Sequence, residues 1–155
     1  MKKITKIILI VTISVIVIGS GIGIGIYFWL NPLGSANETL SPGTTISEGT
    51  FVELDSSHWG TGTVRLVKLA DESHQIQFDN VEIANGPDLY VYLSNKSSFT
   101  GLYDDNGEII DLGLLPYNKG RFSVDIPTSE SVLNVNSVLI WCLQFNVIFT
   151  YAQLQ

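Results

Sequence analysis

The sequence predicts an all-β domain, an antiparallel β-sandwich or barrel-like fold, tethered by one N-terminal transmembrane helix. Three observations carry that expectation. Apolar and polar residues alternate at a period of two in several segments after Gly49. Turn-forming residues separate those segments, and many short strands with regular turns imply a sandwich or barrel. An uncharged, mostly apolar run opens the chain, and no stretch after residue 31 shows a helical period.

The first element is the apolar run, Ile7 to Leu30, 24 residues without a charge. As a helix it would extend about 36 Å at 1.5 Å per residue, enough to span a bilayer with some tilt. A secretory h-region is shorter, so a retained signal anchor over residues 1–30 is favoured over a cleaved leader. The small residues Gly34-Ser35-Ala36 mark where a peptidase would cut. Lys2, Lys3 and Lys6 lie on the N-terminal flank, which predicts a single-pass plasma-membrane topology with Met1 cytoplasmic and the rest outside the cell. Tyr27, Phe28 and Trp29 suit the outer interface. Gly19/Gly23 and Gly21/Gly25 form two GxxxG pairs, a smooth face on which a homodimer could pack.

Residues 31–48 read as a flexible linker, with Pro32, Gly34, Ser41, Pro42 and Gly43 and no apolar period. The β domain follows over 49–155. Val64 and Leu66 alternate with Arg65 and Val67, Ile76 and Phe78 with Gln75 and Gln77, Leu89, Val91 and Leu93 with Tyr90 and Tyr92, and Phe122, Val124 and Ile126 with Ser123 and Asp125. Each is a strand with one face in and one face wet. His58-Trp59-Gly60, Asn85-Gly86-Pro87, Asn106-Gly107 and Asn118-Lys119-Gly120 are turns. Asn106-Gly107 is the residue pair a tight type I′ hairpin demands. Val138 to Phe149 reads as one long central strand covered on both faces, with Val138, Ile140 and Cys142 pointing one way and Leu139, Trp141 and Leu143 the other.

Charge excludes some partners. Beyond Leu30 there are fifteen acidic residues and five basic ones, a net of −10. Nucleic acid and anionic lipid both need a basic face, which is missing. A basic protein partner is compatible. Asn37-Glu38-Thr39 and Asn95-Lys96-Ser97 are formal glycosylation acceptors.

Catalytic machinery is sparse. His58 and His74 are the histidines, and no GxSxG elbow or CxxC pair accompanies them. Asp104-Asp105-Asn106-Gly107-Glu108 resembles part of a calcium loop, but Ile109 stands where an EF-hand needs glycine. A His₂Cys copper site would require His58, His74 and Cys142 to converge, and haem could use either histidine. No metal ligand set is expected. Cys142 is the lone cysteine, so no internal disulfide can form. It is either a small core filler or a reactive thiol, which would need thiolate character.

Taken together, Gly49-Thr50-Phe51-Val52, His58-Trp59-Gly60-Thr61-Gly62-Thr63-Val64, Asn85-Gly86-Pro87-Asp88-Leu89-Tyr90-Val91-Tyr92-Leu93-Ser94, Asp111-Leu112-Gly113 and Val138-Leu139-Ile140-Trp141-Cys142 with Phe145 resemble the DM-thirteen domain, the Skeletor-associated electron transfer DM family, over about residues 49–154. The resemblance implies a β-sandwich-like domain, extracellular or membrane-tethered, that elsewhere stands beside DOMON and b-type cytochrome modules. It also implies an accessory role in electron transfer, with Cys142 as the redox group and His58 assisting if the two meet. Gly62, Gly86, Pro87 and Asp88 match the motif, and the last three also make sense as a tight turn entering a strand. A stand-alone enzyme is not expected, and action would need a separate redox protein. The alternative is a non-catalytic binding module with a structural cysteine, in which Tyr90, Tyr92, Tyr103 and Tyr117 and the acidic face contact a partner.

Overall fold

A computed structural model describes residues 33–155. The expected transmembrane helix, its GxxxG pairs and its aromatic end lie outside the described residues. Among the described residues no helix is long and apolar enough to cross a membrane.

The described chain is all β. Its strands are β1 (Ser35–Asn37), β2 (Gly43–Thr50), β3 (Gly60–Leu69), β4 (His74–Ile83), β5 (Leu89–Ser94), β6 (Ile109–Leu114), β7 (Lys119–Ile126), β8 (Ser137–Cys142) and β9 (Val147–Gln153). Five strands form one sheet in the order β1-β7-β4-β3-β2, and four form the second in the order β6-β5-β8-β9. All pairings are antiparallel except β1 with β7. The expected sandwich is therefore present, with one parallel edge.

Alternation explains the packing. Val64, Leu66, Ile76, Phe78 and Phe122 of the first sheet meet Val91, Leu93, Val138, Ile140 and Cys142 of the second in one buried cluster. Phe78 stacks on Phe122 with centroids 4.5 Å apart. β8 is buried on both sides, as its unbroken apolar run requires. Its other face joins Tyr92, Phe99 and Ile148 in a second cluster around Leu139 and Trp141. The sheets are laced along one edge, where Phe51 bridges Ala152 and Glu48 and Gln155 exchange backbone hydrogen bonds.

Three expectations need correction. The segment expected to be a flexible linker carries β1 and most of β2. These strands lie at opposite edges of the five-stranded sheet, so residues 38–42 must cross its outer face. Four strand spacings amount to about 19 Å, and five linking residues reach little more than ~20 Å, so the strap is nearly taut. It is pinned on the way, because Ser123 donates its N–H to the Glu38 carboxylate and Gln77 donates to the Ser41 carbonyl. Polar strap residues that bond through backbone have no apolar period to betray them.

Second, Val138 to Phe149 is two strands. The turn 143–146 reverses the chain, and Asn146 adopts φ 57°, a left-handed conformation that asparagine tolerates. Leu143 and Phe145 at that turn face solvent. Third, Asn106-Gly107 does not make a two-residue hairpin. β5 and β6 pair through Ser94 and Ile109, so a wide loop joins them. Gly107 has φ 70°, whereas Asn106 is not in the left-handed region a type I′ turn needs.

The outer face of the five-stranded sheet carries an ion cluster. Asp79 accepts from Arg65 Nη1 at 3.0 Å and from Arg121 Nε at 2.9 Å, and Arg65 also reaches Glu48 at 3.3 Å. The Arg65 guanidinium, followed by that of Arg121, holds the Asp79 carboxyl below its usual value despite partial burial. A depressed folded value means stability that is present above about pH 4 and lost as pH falls through the folded value. Asp79→Asn is expected to cost about 1–2 kcal/mol at pH 7. Its stability profile should also be flatter than wild type below about pH 4, as measured by urea unfolding at a series of pH values.

Candidate functional site

The strand register places most of the motif residues at one end of the sandwich. β4 ends at Ile83, the 84–88 loop crosses to β5, and Leu89 pairs with Cys142 at the end of β8. Val147 opens β9 opposite Cys142. The segment before β3 is tied to the same end, since Ala84 donates its N–H to the Trp59 carbonyl. Gly86, Pro87, Asp88, Cys142 and His58 are thus brought together on two loops and a strand end.

Cys142 is fully buried. Its thiol donates to the Pro87 carbonyl, Sγ to O 3.1 Å. Burial pushes the thiol up, and the Asp88 carboxylate adds to that, while the backbone N–H groups of Phe145 and Gln144 oppose it. The resting group is therefore a protonated thiol that donates to the Pro87 carbonyl, beneath the turn. Among the described residues no cationic group lowers its pKa, as a nucleophilic thiolate would require.

Gly86 is required by closeness. A Cβ there would run into the Phe149 ring. Asp88 has φ 48°, which turns the chain into β5, and its carbonyl accepts the Leu143 N–H at 3.0 Å. The Gly86-Pro87-Asp88 turn is thus what docks the Cys142 corner. Gly62 lies apart, within β3. Its φ is 91°, and a Cβ would strike the Asn80 carbonyl, so its place is a strand bulge paired with Asn80 at φ 51°.

His58 reaches the same end without bonding the sulfur. Its Nδ1 lies 2.9 Å from both Asp55 carboxylate oxygens. Its ring meets Phe149 edge-on at 4.7 Å. Phe149 thus packs against both His58 and the Gly86 turn. Asp55, which the sequence reading missed, is fixed by the Ser57 N–H and by His58, and both lower its carboxyl. The only hint was the short Asp55-Ser56-Ser57-His58 spacing. Phe149 gave no signal.

The copper arrangement fails on geometry. His74 opens β4 opposite Lys68, at the far end of the β3–β4 pair from Gly60 and His58. Eight residues of strand put the two histidines on the order of 25 Å apart. Among the described residues no three His, Cys, Asp or Glu side chains gather to hold a metal. The tyrosine surface is also dispersed. Tyr92 is buried, Tyr90 and Tyr117 are half-buried, and Tyr103 is 81% exposed. Tyr117 packs edge-on against Phe122, and Tyr92 stacks on Trp141. Asn95, one of the two glycosylation acceptors, has its side chain engaged with Glu108.

A family model described as "Electron transfer DM13" matches residues 50–154, which include this whole corner. The chain belongs to the electron transfer DM13 family. No curated protein and no solved structure matches the chain significantly. In this DM13 domain the matched span begins inside β2, so β1 and the strap precede it.

Proposed function

We propose that this protein is a single-pass, outward-facing DM13 accessory in electron transfer, with Cys142 as the group that changes state. The observation that carries the reading is the Cys142 corner, where a buried, protonated thiol donates to the carbonyl of Pro87 in a turn within the matched span. The buried, high-pKa thiol favours one-electron chemistry over thiol exchange, which needs an exposed thiolate. Oxidation would pass one electron to an oxidised partner and one proton to water. His58 would act only by holding Phe149 against the Gly86 turn. The apolar run Ile7–Leu30 supports anchoring, with the acidic domain outside and a separate redox protein as partner.

The second reading is a non-catalytic binding module, favoured by the membership of Cys142 in the apolar core cluster. One titration separates the two. The full chain is treated with a one-electron oxidant, hexachloroiridate, beside Cys142→Ala. The redox reading expects wild type to reduce one extra equivalent of hexachloroiridate that Cys142→Ala does not. Equal consumption by both proteins leaves the structural cysteine as the account.

A further inference from the structure

The β8–β9 turn is unusual in what it exposes. Turn positions are normally filled by Gly, Asn, Asp, Ser or Pro. Here the chain reads Leu143-Gln144-Phe145-Asn146, with Leu143 48% and Phe145 61% exposed. Cys142 immediately precedes them and is sealed beneath. The turn is not a frayed tip, because Asp88 accepts the Leu143 N–H and Leu102 accepts the Ile148 N–H. Two apolar side chains are therefore held outward on a firm base.

The described chain starts at the same end. Leu33 packs against the core cluster, and Ser35 pairs with Lys119, the first residue of β7. Lys119 lies opposite Glu82, beside the exit to the 84–88 loop. The opposite end of the sandwich holds the β3–β4 turn and the loop carrying Leu133, which is 90% exposed. In the sequence only Asn31 and Pro32 separate the apolar run ending at Leu30 from Leu33. Three residue steps reach at most about 10 Å. If Leu30 ends an anchor, that short a leash keeps the Leu33 end of the domain close to the membrane surface.

We propose that Leu143 and Phe145 form a lipid-contacting tip that rests the Cys142 end of the domain on the outer surface of the bilayer. The proposal rests on the anchoring reading above. The occupant it names is the interface of a neutral phospholipid bilayer. The charges near the tip exclude an anionic surface: Asp88 and Asp55 are acidic, and Lys119 is paired with Glu82 at 3.0 Å. An aromatic and an aliphatic side chain side by side on a turn suit the zone between headgroups and acyl chains. Such contact would cover the Cys142 corner from water and direct any partner to a membrane-level approach.

The test uses the unmodified full chain in phosphatidylcholine vesicles doped with a phosphatidylcholine that carries a photoactivatable diazirine high on one acyl chain. Adducts are mapped by peptide mass analysis. The expected result is lipid adducts on peptides from the Ile7–Leu30 run and on 143–146, several-fold above the Leu133 loop. Labelling of Ile7–Leu30 with 143–146 no higher than the Leu133 loop overturns the proposal and leaves the anchor intact. Absence of adducts on Ile7–Leu30 overturns the anchoring reading, and the tip proposal falls with it. Protection of 143–146 that grows with protein-to-lipid ratio, without lipid adducts, assigns the tip to a second copy and also overturns it. Phe145→Ser with Leu143→Ser supplies the converse control, since these exposed positions should lose the adducts at 143–146 while those on the anchor persist.

Discussion

Phe78→Ala is expected to be the most damaging single truncation in the domain. The ring is fully buried at the centre of β4, stacks on Phe122 at 4.5 Å and lies 6.1 Å from Phe51. It therefore joins the two central strands of the five-stranded sheet to the segment that crosses toward β9. Removing a buried aromatic ring costs about 3–5 kcal/mol, part transfer energy and part residual cavity. Collapse cannot fill the gap cheaply, because Phe122 is held in the β7 ladder and Phe51 by its own bridge to Ala152. Against a typical net stability of about 5–15 kcal/mol, that loss brings the variant near unfolding at physiological temperature. Urea unfolding followed by tryptophan fluorescence measures it. A loss below about 1 kcal/mol would mean that the aromatic stack is not the centre of the core.

Cys142 is expected to resist soluble thiol reagents until the domain opens. Two effects act in the same direction. The sulfur has no exposed surface, and burial raises its pKa, so the thiolate that attacks such reagents is scarce. Labelling then proceeds through opening. If opening is global, the folded rate falls by about 10³-fold or more relative to denatured protein. Fraying of the 143–146 turn alone would give a smaller factor. In the open state the thiol has its ordinary value, so the rate should climb with pH through about 8.5. The linkage has a definite sign. A raised folded value means that the unfolded thiol ionises first, so this group's contribution to stability is full below about pH 8.5 and is lost as pH rises through the folded value. Stopped-flow labelling across pH reads both effects. Fast labelling with a depressed apparent pKa would contradict the hydrogen-bonded, protonated thiol.

The parts of this fold that were legible in the sequence are those in which side-chain chemistry follows backbone geometry. β3, β4 and β7 bury mainly one alternating face, and their apolar period announced them. β5, expected to have one wet face, is instead buried on both because Tyr92 packs with Trp141. β8 announced its two-sided burial through an unbroken apolar run. The misread elements break that link. β1 and β2 are edge strands of mostly Ser, Thr, Gly, Asn and Glu, with only Ala36 and the exposed Ile46 apolar, so no apolar period marks them. The β8–β9 reversal was hidden because Leu143 and Phe145 are apolar yet exposed, and only the backbone of Asn146 records the turn. At the candidate site, the motif residues were found through family resemblance, but their roles were not. Pro87 acts through its carbonyl and Gly86 through a missing Cβ, and neither role is written in residue type alone.

The strap also fixes an order of events in the making of the domain. β2, β3 and β4 can pair with near neighbours as soon as each is synthesised, because short loops join them. β1 cannot. Its partner is β7, and the Glu38 contact with Ser123 spans 85 residues of chain. The first strand in sequence is thus set in place only after the seventh exists. Until then, Ser35, Ala36 and Asn37 have no ladder partner, and afterwards they form an edge of the sheet.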